Sequence, residues 1–292
     1  VAITYEVKLP ERVPDSVNVY RLIAPKTSNA ALTQLAKRCG LTGTSREFVT
    51  TPESLAYNEG RYALEVRRSS GALTMRHVDK YAMDHGKAFE LTDRRCDAIA
   101  RRFLQRAKLF PMKSAKLLRV THLRAAEASR AERKITERVI DAGVVYGRVV
   151  DRLPVIGPGG MAMVNIGPEA DVVGLRSVWR PLGRRVGRVR VKPPREAVEA
   201  FEKIASRFKG ETTVVKAQFG YFELGPLDGQ RVLEPAYALV YVVRDGEVAH
   251  KSAFVMHAGN KAFGQLMGKK RFARGPQRTR PKPRASEDAD SE

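Results

Sequence analysis

Three times along this chain the hydrophobic period switches from 3.6 residues to 2, and that switch constrains the fold more than any other feature. In Ser28–Gly40, SNAALTQLAKRCG, the residues Leu32, Leu35, Ala36 and Cys39 recur at i, i+3, i+4 and i+7, which is one face of a helix. Ser28 carries the side-chain oxygen of an N-cap, and Gly40 has the backbone freedom of a C-terminal stop. In Thr92–Leu109, TDRRCDAIARRFLQRAKL, Cys96, Ile99, Ala100, Phe103 and Ala107 share a face. Arg94, Arg95, Arg101, Arg102, Arg106 and Lys108 take the opposite one, Thr92 or Asp93 can cap the start, and Pro111 limits extension. In Pro194–Gly210, PREAVEAFEKIASRFKG, the prolines 193 and 194 suit a helix entry, and Val198, Phe201, Ile204, Ala205 and Phe208 face inward.

Each helical segment is followed by alternating runs that end in a hairpin-like pair. These are RYALEVRR–SSG–ALTMRHV (Arg61–Val78), MAMVNI–GPEAD–VVGLRSVWR (Met161–Arg180) and YALVYVV–RDG–EVAHKSAFVMH (Tyr237–His257). Gly71 and Gly246 stand where a tight turn needs positive φ. Identity between the three copies is low, so the repeat is one of pattern. A helix packed across an antiparallel sheet is the economical solution for such a unit. The expected fold class is therefore α+β, built from tandem helix-plus-antiparallel-sheet units. The expected units are residues 1–88, 89–190 and 191–260, the third packed with the second, followed by a basic and then acidic disordered tail, 261–292.

The Gly157–Gly160 stretch, GPGG, raises the question of a phosphate loop. Such a loop needs its glycines to lead into a helix N-terminus. Here MAMVNI follows, a strand pattern, so the glycines are expected to make a bend between strands.

With the helices placed, the runs GRVVDRLPVIGPGGMAMVNI, ADVVGLRSVWRP and GQRVLEPAYALVYVVRDGEV (Gly229–Val248) carry a family resemblance. Strand, glycine turn and strand after a helix resemble the PepSY and FTP-type modules of thermolysin-like protease propeptides. They also resemble the tandem extracytoplasmic domains of envelope histidine-kinase regulators. The resemblance spans about residues 17–257. It implies a cystatin-like arrangement, a helix gripped by a curved antiparallel sheet. It also implies a non-catalytic role in inhibiting, chaperoning or sensing through a protein or peptide partner.

Charge points to partners more directly. The formal net charge is +21. Residues 94–138 hold 14 Lys/Arg against four Asp/Glu, and Trp179–Arg195 holds seven Lys/Arg and no acid. The expected anion- or partner-binding residues are Arg94, Arg95, Arg101, Arg102, Arg106, Arg180, Arg184, Arg185, Arg188 and Arg190, with Lys269, Lys270 and Arg271 in the tail. Aromatic interleaving is poor, with Trp179 the single tryptophan, so nucleic acid is the alternative partner and its binding would be sequence-independent and salt-sensitive. An anionic surface is a third.

Catalytic signatures are thin. HExxH, CxxC and GxSxG are absent. Glu223, Asp228 and Glu234 form the one local carboxylate group beside aromatic residues, the only candidate for acid–base work. His77 and His85, flanked by Asp79 and Asp84, read as polar loop residues more than as a metal site, and His250 and His257, at odd separation in a strand, face apart. No metal or cofactor is expected. Cys39 and Cys96 match no zinc or redox spacing and read as small buried side chains, a single disulfide being the alternative. A non-enzymatic binding role is thus expected ahead of an enzyme acting on a small or peptide substrate. No run approaches 18 apolar residues, and VAITYEVKLPERVPDS has no signal-peptide pattern. The chain as written reads as soluble and cytoplasmic, or extracytoplasmic if a segment precedes Val1.

Overall fold

Alternation of apolar and polar residues outweighs helical periodicity once the chain is folded. The computed structural model describes residues 3–41, 46–83, 86–129 and 134–266. Among them are three helices, α1 Asn29–Cys39, α2 Asp93–Ala107 and α3 Pro194–Ala205. Ser28 Oγ accepts from the Ala31 amide at 3.2 Å, and Gly40 closes α1 at φ 93°. Thr92 caps α2 by accepting from the Arg95 amide, and Pro194 opens α3.

The strands after α1 are β3 Arg46–Thr50, β4 Ser54–Glu59, β5 Tyr62–Arg67 and β6 Leu73–His77, an antiparallel meander in chain order. After α2 come β7 Ala115–Ser129, β8 Lys134–Val150, β9 Leu153–Ile156, β10 Met161–Ile166 and β11 Val172–Val178. Of these, β7, β8, β10 and β11 form a second meander. Its last strand pairs with the last strand of the first, Leu73 opposite Ser177 and Met75 opposite Leu175. Eight strands therefore share one surface, ordered β7-β8-β10-β11-β6-β5-β4-β3. Strand period 2 sorts their side chains. Ala162, Val164 and Ile166 of β10 enter the core with Leu175, Met75, Leu64, Val144 and Tyr146. Leu32, Ala36 and Cys39 of α1 and Cys96, Ala100, Phe103 and Leu104 of α2 close that core from above. Each large side chain buried there contributes about 1.5–3 kcal/mol.

The remaining strands are β1 Ile3–Tyr5, β2 Ser16–Leu22, β12 Leu182–Arg190, β13 Glu211–Phe222, β14 Val232–Asp245 and β15 Val248–His257. Their order is β12-β2-β14-β13, with β15 added to β14 and β1 running parallel to β13. Phe201 and Ala205 of α3 pack on Val214, Leu239 and Tyr241. The two groups join through β9, antiparallel to the end of β8 and parallel to β13.

This architecture overturns the expected α+β class of tandem cystatin-like units. The fold is predominantly β: among the described residues fifteen strands belong to one mixed sheet, and the helices are short. The helix-then-meander pattern exists locally, but its products merge. β6 and β11 fuse two meanders, β2 inserts between β12 and β14 from the far N-terminal side, and β9 leaves its meander to pair with β13. Those pairings satisfy edge N–H and C=O groups that separate units would leave open.

A buried ionic cluster sits at the seam. Glu223, at the end of β13, is fully buried. Its Oε1 accepts from the Arg180 amide at 2.9 Å and from Arg180 Nη1 at 3.2 Å, and its Oε2 accepts from Arg148 Nη1 at 3.1 Å. Arg180 also donates to the carbonyls of Leu224, Gly225 and Asp228, and Arg148 donates to that of Arg180. Burial pulls both guanidiniums below their usual value, and Glu223 opposes that shift. The Arg148 guanidinium lies over Trp179, which stacks on Phe110 at 3.9 Å between centroids.

The 157–160 glycines bend the chain from β9 into β10 against this cluster. Gly159 donates its amide to the Glu223 carbonyl at 2.9 Å. A Cβ at Gly159 would lie 2.4 Å from the Leu224 carbonyl oxygen. The segment after β15 is tied down in a similar way: Glu234, buried in β14, accepts from the amides of Phe263 and Gly264. Residues 267–292, which include Lys269, Lys270 and Arg271, lie outside the described residues, as do Asp84 and His85.

Candidate functional site

Helix α2 has one face in the core, so its arginines must divide between its flanks. Arg95, Ile99, Arg102 and Arg106, at i, i+4, i+7 and i+11, run along one flank. They form one wall of a cleft of about 290 Å³. The other wall is the C-terminal end of α1 (Cys39, Gly40, Leu41), with Tyr62 and Met75 below and Ala170 and Val172 at the rim. Among the described residues no Asp or Glu lines this cleft. Arg106 Nη2 donates to the Cys39 carbonyl at 3.5 Å, where the end of α1 favours a cation. Among the described residues Arg95 and Arg102 make no ion pair. Cys39 sits in the wall with its thiol pushed up to about 11 by burial, so it is a spacer and not a nucleophile at neutral pH. Cys39 and Cys96 are both free and buried.

The other expected α2 arginines stand apart from this set. Arg94 is exposed. Arg101 pairs with Asp97 at 2.8 Å and lies over the Tyr146 ring.

A second cleft, of about 300 Å³, lies on the β2–β12 surface. Arg185 stands opposite Tyr20, and Arg188 opposite Asn18, in the β12–β2 register. Both arginines line the cleft with Ser16, Asn18, Asp151 and Leu153. Among the described residues neither makes an ion pair. Arg184 and Arg190 are exposed on the same strand, and the Arg190 amide donates to Asn260 Oδ1. The two clefts share no lining residue. Arg180, which sequence reading grouped with these surface arginines, is only 2% exposed and belongs to the Glu223 cluster.

Asp151 is the group that sequence reading missed. It occupies, with Arg152, the two-residue turn between β8 and β9, and both have left-handed backbone, φ 48° and 66°. Such a turn normally takes Asn-Gly, so Arg152 holds backbone strain of about 1–3 kcal/mol. Three donors converge on Asp151 Oδ2: Tyr20 hydroxyl at 2.7 Å, Asn18 Nδ2 at 3.0 Å and Tyr221 hydroxyl at 3.1 Å. Burial alone would raise the Asp151 carboxyl, but these bonds outweigh it and hold it below the usual carboxylate value. Burial and the adjacent carboxylate raise the Tyr221 hydroxyl in turn. The legible signal was Asp-Arg in a hairpin turn, VVDRLPVI, where a glycine would be at ease.

The expected carboxylate group does not assemble. Glu223 is held by its two arginines, and Glu234 by backbone amides, with His257 Nδ1 3.3 Å away. His77 packs edge-on against Tyr62 at 4.6 Å. Among the described residues no group of three or more His, Cys, Asp or Glu side chains could hold a metal ion, and no helix is long and apolar enough to cross a membrane.

No family model and no curated protein match the chain. A crystal structure of an uncharacterized protein from Eubacterium rectale matches it in three dimensions, with a TM-score of 0.57, 10% identity and 91% of each chain covered. At that identity the likeness is one of fold alone.

Proposed function

We propose that this chain is a non-catalytic binding protein whose basic surface engages a polyanion, with nucleic acid the class it fits best. The observation that carries this reading is the α2 cleft, where Arg95, Arg102 and Arg106 converge without a lining carboxylate. Guanidiniums without a carboxylate partner among the described residues, on a rigid helix, suit phosphate oxygens, and the net charge of +21 supplies long-range attraction. Recognition would be of backbone, not of sequence.

The test is binding of random-sequence DNA and RNA by the whole chain across a salt series. Affinity should fall steeply with salt, and Arg95→Gln, Arg102→Gln and Arg106→Gln together should lower the log–log slope by about three, roughly one per lost phosphate contact. An unchanged slope in the triple variant, or no binding near 0.1 M salt, would sink the reading.

A second reading rests on the β7–β8 ribbon. Over residues 134–141, β8 pairs with β7 alone among the described residues, and Leu123 and Ile135 are 41% and 69% exposed. A lone two-stranded ribbon is marginal in water and gains from a covering partner. With a second copy as that partner, sedimentation would show concentration-dependent association. Ile135→Asp should abolish that association without lowering thermal stability; association unaffected by it removes this reading.

A further inference from the structure

The β2–β12 cleft differs in kind from the α2 cleft, because it sets one carboxylate among its arginines. All three donors to Asp151 land on Oδ2. Among the described residues Oδ1 receives none. Asp151 thus enters the cleft as a fixed carboxylate with one oxygen available. Its position is held from three elements: Asn18 and Tyr20 of β2, Tyr221 of β13, and the β8–β9 turn that carries it. The single Tyr221 hydroxyl proton also has the Asn18 carbonyl within reach at 3.0 Å and is shared between that carbonyl and Asp151. Arg185 and Arg188 complete the lining.

We propose that this cleft binds a small zwitterion of the free amino-acid class, its carboxylate on Arg185 and Arg188 and its ammonium on Asp151 Oδ1. The ligand class follows from the charges. The lining carries two guanidiniums and one carboxylate, so a ligand with one anionic and one cationic end sets an opposite charge against each kind. A phosphate dianion would match the arginines but face the Asp151 carboxylate, and the tyrosine hydroxyls that could serve its other oxygens already donate to Asp151. The cleft volume, about 300 Å³, is at the small end of ligand sites. The aromatic contact of half-buried Tyr20 with buried Tyr221, 6.1 Å between ring centroids, supports the carboxylate's donors.

The test is calorimetric titration of the intact chain with free L-amino acids, using ethylamine, acetate and inorganic phosphate as single-group probes. At least one amino acid should bind, and ethylamine and acetate should each bind about tenfold more weakly or worse, since each loses a charge-assisted contact. Asp151→Asn and, separately, Arg188→Gln should each weaken the amino acid by about tenfold or more. Arg188 is exposed on an edge strand, so its variant tests the site even if Asp151→Asn unfolds the turn. Binding of no amino acid above the acetate level overturns the proposal. So does amino-acid binding that survives Arg188→Gln, or phosphate binding that is tighter than every amino acid and is lost in Arg188→Gln. Phosphate held by the α2 arginines would survive that variant, so these outcomes are independent of polyanion binding.

Discussion

Glu223→Ala should lower the stability of this protein by about 3–5 kcal/mol, a large share of what a domain of any size holds in reserve. The effect comes from what the substitution leaves behind. Arg148 and Arg180 are 4% and 2% exposed, and Glu223 is their ion-pair partner across the seam. Without it, two guanidiniums remain buried, side by side, with only carbonyl acceptors. A buried pair contributes little net when made and costs much when half-removed, because desolvation is no longer offset. Glu223→Gln keeps the shape and one acceptor oxygen, so it should cost less than Ala. Urea unfolding followed by the fluorescence of Trp179, whose ring lies under Arg148 and against Phe110, reads this directly. A loss below about 1 kcal/mol for the alanine variant would mean that water reaches the cluster and that the seam is held by apolar packing instead.

Gly159→Ala should cost about 3 kcal/mol, the upper end of what an overpacked methyl group costs. The cause is contact and not backbone conformation, since the φ of Gly159 is not in the left-handed region. The new Cβ would meet the Leu224 carbonyl oxygen at 2.4 Å and Glu223 Cγ at 2.7 Å. The first is backbone, and the second belongs to a side chain fixed by two arginines, so neither can yield cheaply. Gly229→Ala is the matched control, with only an ordinary 3.6 Å contact to the Ser69 carbonyl oxygen, and should change stability by less than about 0.5 kcal/mol. Thermal unfolding of both variants decides the matter. Equal, small losses would mean that the 157–160 bend is loosely packed. The bend brings two chain segments close, Gly159 donating its amide to the Glu223 carbonyl.

Much of the local structure was legible. Cap residues and a 3.6 period marked α1 and α2 because a helix satisfies its backbone within itself, so its signals lie within one segment. Alternation marked β10, β11 and β14 for the same local reason. The arginines of α2 could be picked out by type, but not sorted. Arg101 differs from Arg102 only in which way the helix turns it, toward Asp97 and Tyr146 or toward the cleft. Arg180 looked like its neighbours in an Arg-rich run and is instead the most buried of them. The Asp151 site joins positions 18, 20, 151, 185, 188 and 221, and no spacing rule spans such separations.

By itself the sequence marked the three helices, the alternating runs that became β5, β6, β10, β11, β14 and β15 with the turns between them, and a strongly basic balance of charge. Each of these depends on neighbours along the chain. Tertiary structure alone decided which strands pair, and hence that two meanders fuse through β6 and β11 and that β2 crosses to lie between β12 and β14. Strand pairing is a choice among edges that all offer the same backbone donors and acceptors. What discriminates them is the fit of the buried faces and of rare partners such as Glu223 with Arg148 and Arg180. Those residues meet only after the chain has folded.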